Sequence, residues 1–229
     1  MDSAAFNLSA QAGIGMTSQR TRTRMVERLR EQGVKDPRVL HAMGVIPRHV
    51  FVEPALANRA YDDTALPLGF AQTISQPYVV ARMIEILLQG RDGLGKTLEI
   101  GAGCGYQAAV LSILTKQVFS VERIAPLLSR ARDNLRQLKL TRIRLKHADG
   151  NLGLPEAAPF DTVILAASSK TVSQTLLAQL APGGRLVMPL VTSASGAEQV
   201  IFLIERTESG WIETRFDAVR FVPLLAGVE

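Results

Sequence analysis

Apolar positions along the 229-residue chain change their period near residue 96. Before that point they recur at helical spacing. Met25, Val26 and Leu29 share one face of Thr21–Gln32, which predicts an amphipathic helix stopped by Gly33. Asp36-Pro37 offers an N-cap and a first-turn proline for a second helix that Gly44 closes. Ile46-Pro47 to Val52 reads as a loop or a short extended piece, and Glu53–Ala60 as a short helix. Asp62–Gln76 has no clear period, and a long irregular loop inside a compact domain is usually functional. Pro77 opens a helix whose apolar face holds Val80, Met83, Ile84 and Leu87.

From Lys96 onward, short apolar runs alternate with helical stretches. The pattern predicts strands at Thr97–Ile100, Gln117–Val121, Ile143–Lys146, Phe160–Leu165 and Arg185–Pro189. Helices are expected over Cys104–Leu114, Ala125–Leu138 and Thr171–Leu180, with Pro182-Gly183-Gly184 as a turn. This order implies an α/β fold, with a mostly parallel central sheet and helices on both faces. Gln199–Glu205, Ile212–Phe216 and Val219–Val222 read as two or three C-terminal strands, antiparallel because the turns between them are short. Residues 1–19 are small, polar and aperiodic, so a disordered tail is expected there, with Met16 as an alternative start. Residues 20–95 then form a helical region carrying the long loop, and residues 96–229 the core with its C-terminal strands.

Composition narrows the setting. No stretch is long and apolar enough for a bilayer, and no apolar leader opens the chain. A single cysteine, Cys104, excludes an internal disulfide framework and fits a reducing, cytoplasmic location. The net charge of +5 is uneven, with arginines crowding residues 20–30 and a second basic run over residues 130–146. One reading is a nucleic-acid footprint; the other, preferred because no aromatic residues are interleaved for base stacking, is solvated helix faces. His41, His49 and His147 match no metal-ligand spacing, so no metal is expected.

The strand-to-helix segment Leu98-Glu99-Ile100-Gly101-Ala102-Gly103-Cys104-Gly105-Tyr106 carries the candidate chemistry. In an open parallel sheet such a loop lies at the ligand crevice. Its third glycine comes one place too early for a dinucleotide fingerprint, and no Gly-Lys-Ser/Thr follows for a phosphate loop. Glu99 before the first glycine would repel a pyrophosphate and suits a cationic ligand. Glu122 ends the second strand, where a carboxylate can accept from ribose hydroxyls. Asp149-Gly150 follows the third strand and can meet an adenine amino group. Each acid alone could be a loop or cap residue. Together they point to S-adenosylmethionine on a Rossmann-like class I methyltransferase fold. Cys104 reads as a small packing residue.

The run Tyr61–Pro77, above all Gln72-Thr73-Ile74-Ser75-Gln76-Pro77, resembles the signature loop of the protein-L-isoaspartate O-methyltransferase family. The resemblance extends from about Met25 to Leu225 and includes Pro47-Arg48-x-x-Phe51-Val52, Val121-Glu122-Arg123, Leu180-Ala181-Pro182-Gly183-Gly184 and Val219-Arg220-Phe221-Val222-Pro223-Leu224. It implies methyl esterification of the free α-carboxyl of L-isoaspartyl residues in damaged or unfolded proteins, followed by succinimide formation and repair, with S-adenosyl-L-homocysteine as the co-product. It also implies that Ser75 is the active-site residue, with Thr73 beside it. The Gln72-Thr73-Ile74 backbone, Glu99, Gly101, Gly103, Glu122, Asp149 and Gly150 would hold the cofactor. Val219, Arg220 and Phe221 would lie along the peptide by main-chain pairing. From local sequence alone, a plain N-cap before Pro77 is the preferred reading of Ser75; the resemblance reverses that preference, and the two roles are compatible. A monomer without nucleic-acid or membrane partners is expected.

Two departures stand out. Ala71 occupies a place where the family usually has glycine, and Ala166-Ala167-Ser168-Ser169 replaces the more usual Thr-Ala-Ala-Pro. An RNA or small-molecule methyltransferase is a second reading. For an RNA amino-methyltransferase, the lack of an Asn/Asp-Pro-Pro-aromatic motif after the fourth strand counts against it. A relative that binds without turnover is a third, motivated by the two departures.

Overall fold

The computed structural model describes residue 13 and residues 15–229. Most of the tail expected over residues 1–19 lies outside the described residues. Structure nevertheless begins before residue 20: Gly15–Thr17 forms a 3-10 turn, and Ser18 caps α1 (Gln19–Glu31). In α2 (Pro37–Val45) the Asp36 side chain accepts from the Arg38 amide, as an N-cap should. Gly44 does not end this helix. It lies inside it, where an added Cβ would be 3.4 Å from Val26 of α1, so the missing side chain allows close helix packing.

The irregular loop expected over Asp62–Gln76 contains a hairpin. β1 (Leu66–Gly69) pairs antiparallel with β2 (Gln72–Ile74) through a two-residue turn, Phe70-Ala71. Both turn residues have φ near 54°. Such a turn normally announces itself as Asn-Gly. Here neither residue is a turn former, so the sequence carries no signal for the hairpin. α3 (Pro77–Leu88) follows, and its apolar face is buried as expected.

The seven-stranded sheet has the order β5-β4-β3-β6-β7-β8-β9. Its strands are β3 (Thr97–Ile100), β4 (Val118–Glu122), β5 (Arg144–His147), β6 (Phe160–Leu165), β7 (Leu180–Val191), β8 (Gln199–Thr207) and β9 (Gly210–Val219). The pairs from β5 to β7 are parallel, and β8 and β9 are antiparallel. Alternation along the strands sorts the core into two layers. Ile164, Val187, Ile201 and Leu203 face the layer built with α1–α3, α4 (Tyr106–Leu114) and α5 (Ala125–Gln137). Leu98, Val163, Leu186, Met188 and Phe202 face the opposite layer, which holds α6 (Gln174–Ala178).

Two expectations need correction. The helix expected over Thr171–Leu180 is only α6, because Ser173 caps it late and Leu180 already pairs with Phe160. Pro182-Gly183-Gly184 is therefore an irregularity inside β7 rather than a turn before it. Likewise Ile212–Phe216 and Val219–Val222 are not two strands. The first lies within β9, which ends at Val219, and Arg220–Val222 continues as an extended connection.

The left-handed turn gives a direct test. Ala at φ 54° carries a steric cost of about 1–2 kcal/mol that glycine avoids. Ala71→Gly is expected to raise stability by about 1 kcal/mol in urea unfolding, since Ala71 is exposed and loses no packing.

Candidate active site

Strand order reverses at β3, and the crevice opens beyond the carboxyl ends of β3 and β6. The glycine loop leaves β3 at that point. Gly101, Gly103 and Gly105 have φ of 91°, 54° and 88°, values that side-chain-bearing residues avoid. The loop is laced to β4: the Gly101 and Ala102 amides donate to the Val121 carbonyl at 2.9 and 3.0 Å. The Gly103 amide donates to Glu122 Oε2 at 2.8 Å.

Above this floor lies a cleft of about 830 Å³ that opens to solvent. Gln72, Thr73, Ile74, Gly101, Gly103, Glu122 and Gly150 all line it, so seven of the expected cofactor residues converge. A smaller cavity of about 340 Å³ adjoins it and includes Arg220 and Phe221. Thr73, Ser75, Ala166 and Val222 line both spaces and form the wall where two ligands can meet. Val219 lines neither, because it is the last paired residue of β9, opposite Gln199.

Ser75 is not a helix cap. Gln76 occupies the N-cap position of α3 without a side-chain bond, and the free Tyr78 amide instead donates to Asp63 Oδ1 at 2.9 Å. Ser75 is half-buried and its carbonyl accepts from Arg48 Nη2 at 2.7 Å. The backbone of the neighbouring extended segment is partly in use. Val222 O accepts from the Ser168 amide at 2.8 Å, and the Phe221 amide donates to Gln199 Oε1 at 2.7 Å. Ser168, one of the departures, also donates its hydroxyl to Val222 O at 3.2 Å.

The three acids divide. Glu122 is buried, and its Oε1 also accepts from the Ile124 amide at 3.0 Å. Each carboxylate oxygen keeps one lone pair for a ligand hydroxyl. Asp149 lies outside the cleft lining, a departure from the adenine contact expected of it. Its Oδ1 accepts from the Asn151 amide at 2.8 Å, and its Oδ2 from the Gly227 amide at 2.6 Å. Burial works against its charge, but these hydrogen bonds and the nearby Arg123 outweigh that and hold its pKa below the ordinary value. Asp149 therefore fastens the C-terminal segment, whose Leu224 and Leu225 form part of the cleft wall.

Glu99 lies beneath the lining, fully buried, and accepts a hydrogen bond from the Ser120 hydroxyl. Its Oε1 has no partner among the described residues. Burial pushes its pKa up to about 8, against the pull of Ser120 and Gln107. Cys104 is buried too, and burial drives its thiol to about 11, which removes it as a nucleophile at neutral pH.

Sequence reasoning gave no role to Arg48, or to Arg123 and His147, which hold the C-terminal residues. Arg123 donates to Gly227 O at 3.1 Å and pairs with Glu229 at 2.9 Å. His147 Nε2 lies 2.9 Å from Arg123 O and 3.1 Å from Glu229 O. For Arg48 the available signals were its place in Pro47-Arg48-x-x-Phe51-Val52 and its setting between Val45-Ile46 and Phe51-Val52, a poor place for a charge. The basic run of residues 20–30 is partly structural, since Arg22 Nε donates to Tyr61 Oη at 3.2 Å and Arg28 donates to Tyr61 O.

The donor set fits a cationic adenosyl ligand better than a phosphate. Arg123 is the one cation that lines the cleft among the described residues, and its guanidinium is engaged by the C-terminal segment. The buried Glu122 carboxyl stands on that side, and the orphaned Glu99 oxygen beneath it is a further acceptor. Sheet order, glycine loop and acid placement thus define a class I methyltransferase fold. A profile of the protein-L-isoaspartate(D-aspartate) O-methyltransferase family matches residues 20–229, and the chain belongs to that family.

The chain is 65% identical over 217 residues to the protein-L-isoaspartate O-methyltransferase of Dechloromonas aromatica, covering 95% of this chain and 99% of the relative. The Aromatoleum aromaticum protein of the same name is 63% identical over 215 residues, covering 94% and 96%. A solved protein-L-isoaspartate O-methyltransferase superposes with a TM-score of 0.79 at 28% identity, over 90% of this chain and 67% of its own. A Plasmodium falciparum structure described as such an enzyme in complex with S-adenosyl-L-homocysteine has a TM-score of 0.77 at 22% identity, over 89% and 98%, and supports the fold.

Glu99 makes stability depend on pH. Its folded pKa of about 8 lies above the ordinary 4.5, so the folded state holds a proton that the unfolded chain releases between those values. This contribution is fully present below pH 4.5 and is lost as pH rises through 8. Glu99→Gln, which mimics the protonated form, is expected to flatten the decline of Tm between about pH 4.5 and 8, so that its Tm exceeds that of the unaltered protein increasingly as pH rises through that window.

Proposed function

We propose that this protein transfers a methyl group from S-adenosylmethionine to the free α-carboxyl of L-isoaspartyl residues, the first step of succinimide-mediated repair. The observation that carries this reading is the wall of Thr73, Ser75, Ala166 and Val222, shared by the cofactor cleft and the adjoining acceptor cavity. When bound, S-adenosylmethionine supplies a methyl on cationic sulfur and departs as neutral S-adenosyl-L-homocysteine once the carboxylate oxygen has formed the ester bond.

An α-carboxyl is ionised at neutral pH, so attack needs no general base. The demand on the protein is alignment and exclusion of water. Ser75 is the catalytic residue in this reading, because its hydroxyl forms no bond within the described protein and can donate to the acceptor carboxylate without neutralising it. Thr73 aids from the hairpin. Gln72, Thr73 and Ile74 flank the adenosyl side, and Glu122 takes the ribose hydroxyls with its spare lone pairs. Gly101, Gly103 and Gly150 let the ligand approach backbone. Glu99 compensates the cation from beneath. Asp149 acts indirectly, by holding the C-terminal wall. Arg220 and Phe221 receive the peptide.

The substrates in this reading are isoaspartyl peptides and aged or unfolded proteins, and the acceptor cavity is lined mostly by short side chains. A cytoplasmic setting is supported by the single buried cysteine. No helix among the described residues is long and apolar enough to cross a membrane. We further read the enzyme as a monomer.

Incubation with methyl-labelled cofactor and a matched peptide pair tests the activity. Label is expected on the isoaspartyl peptide and not on its normal aspartyl twin; equal labelling of both overturns the reading. Ser75→Ala is expected to lower turnover by about 100-fold with little change in S-adenosyl-L-homocysteine affinity measured by calorimetry. Glu122→Ala should do the reverse, weakening that affinity by about 10- to 100-fold, as expected for hydrogen bonds to a charged group.

A further inference from the structure

Arg48 is the largest fully buried side chain, with no measurable exposure. Its Nε donates to the Ala60 carbonyl at 2.8 Å, and its Nη2 to the Ser75 carbonyl at 2.7 Å. Its guanidinium carbon lies 4.7 Å from the centroid of the Tyr106 ring. Phe51 meets the same ring in an edge-on contact, with centroids 5.5 Å apart. No ion pair reaches Arg48 among the described residues, and its Nη1 has no hydrogen-bond partner. A buried cation without a counter-charge is costly, and replacing it with an apolar side chain is often neutral or stabilising. Stability alone is therefore a poor reason for an arginine here.

Its contacts suggest another reason. Ser75 lies on the wall between the two cavities, and Tyr106 lines the larger one. Arg48 thus joins the acceptor segment to the start of α4, the helix that follows the glycine loop. A Ser75 carbonyl held on a buried guanidinium cannot turn toward an incoming carboxylate, which it would repel. The planar fork also fixes two carbonyls at once, those of Ala60 and Ser75, which a lysine cannot reproduce.

We propose that Arg48 is a positioning residue for the acceptor: it draws the Ser75 carbonyl inward and so keeps donors, rather than a carbonyl dipole, facing the isoaspartyl carboxylate. This inference rests on the acceptor reading given above. Arg48 touches neither cavity and acts through Ser75 and Tyr106.

The test uses the full chain with Arg48→Met and Arg48→Lys. Tm, the calorimetric Kd for S-adenosyl-L-homocysteine, and the steady-state kcat and KM for an isoaspartyl peptide are measured. Arg48→Met is expected to fold, to bind S-adenosyl-L-homocysteine within about threefold of the unaltered protein, and to lose about 30-fold or more in kcat/KM for the peptide. Arg48→Lys, which keeps the charge and one donor, is expected to fall between. The proposal is overturned by peptide kcat/KM within about threefold of the unaltered protein. It is also overturned if S-adenosyl-L-homocysteine affinity falls in step with turnover, which would mark a general structural role. If Arg48→Met does not fold, Arg48→Lys decides by the same criteria. Failure of the acceptor reading shows separately, as an unaltered protein that does not distinguish the isoaspartyl peptide from its aspartyl twin. In that case the role of Arg48 toward the isoaspartyl carboxylate is overturned with it, whatever the Arg48 variants show.

Discussion

The hydrogen bond from the Gly103 amide to Glu122 Oε2, at 2.8 Å, is the contact on which the site depends. It closes the glycine loop of β3 onto the end of β4. The same carboxylate takes the Ile124 amide at 3.0 Å and so also sets the entry into α5. One buried side chain thereby fixes the loop, its neighbouring strand end and the following helix. The close approach of α5 follows, because a Cβ on Gly105 would stand 3.3 Å from Ala131. Parallel pairing of β3 with both β4 and β6 places this junction at the reversal of strand order, where a crevice must open.

Around that junction the charges are arranged for bringing an anion to a cation. Glu99 lies beneath the cofactor side, neutral by virtue of burial when nothing cationic faces it. Arg48 lies beneath the acceptor side, tied to the Ser75 carbonyl. Neither group is exposed to water, so a charge on either acts on a ligand with little screening. The chemistry needs no proton transfer, and the structure correspondingly invests in geometry: two cavities meet along one wall of short side chains.

The fold was legible wherever apolar alternation reported burial. β3 and β6 fall on the residues expected and β4 within one residue, because a strand buried on both faces leaves an unmistakable apolar run; the exposed β5 and the amphipathic α5 also fall within one residue. The misreadings share one cause. The Phe70-Ala71 turn, the continuous β7 through Pro182-Gly183-Gly184 and the short α6 are set by pairing partners distant in sequence, and local propensity points elsewhere. The same holds in the site. Gln72, Thr73, Ile74, Gly101, Gly103, Glu122 and Gly150, singled out by resemblance, glycine motif and strand-end position, line the cleft, whereas Asp149 turns to Gly227, a partner that only the folded C-terminal segment brings near.

The sequence by itself determined the alternation of strands and helices, the glycine loop and the acid that closes it, since these follow from local steric rules and short spacings. It also carried the Gln72–Pro77 run by which the acceptor chemistry is recognised. Only the tertiary structure decided which carboxylates face the cleft, that Ser75 lies on a shared wall while Asp63 caps α3, and that Arg48 reaches the Ser75 carbonyl across 27 residues. The physical reason is that a hydrogen bond is directional and short. Its partner is chosen by where packing places the backbone, and no local pattern of residues encodes that distance.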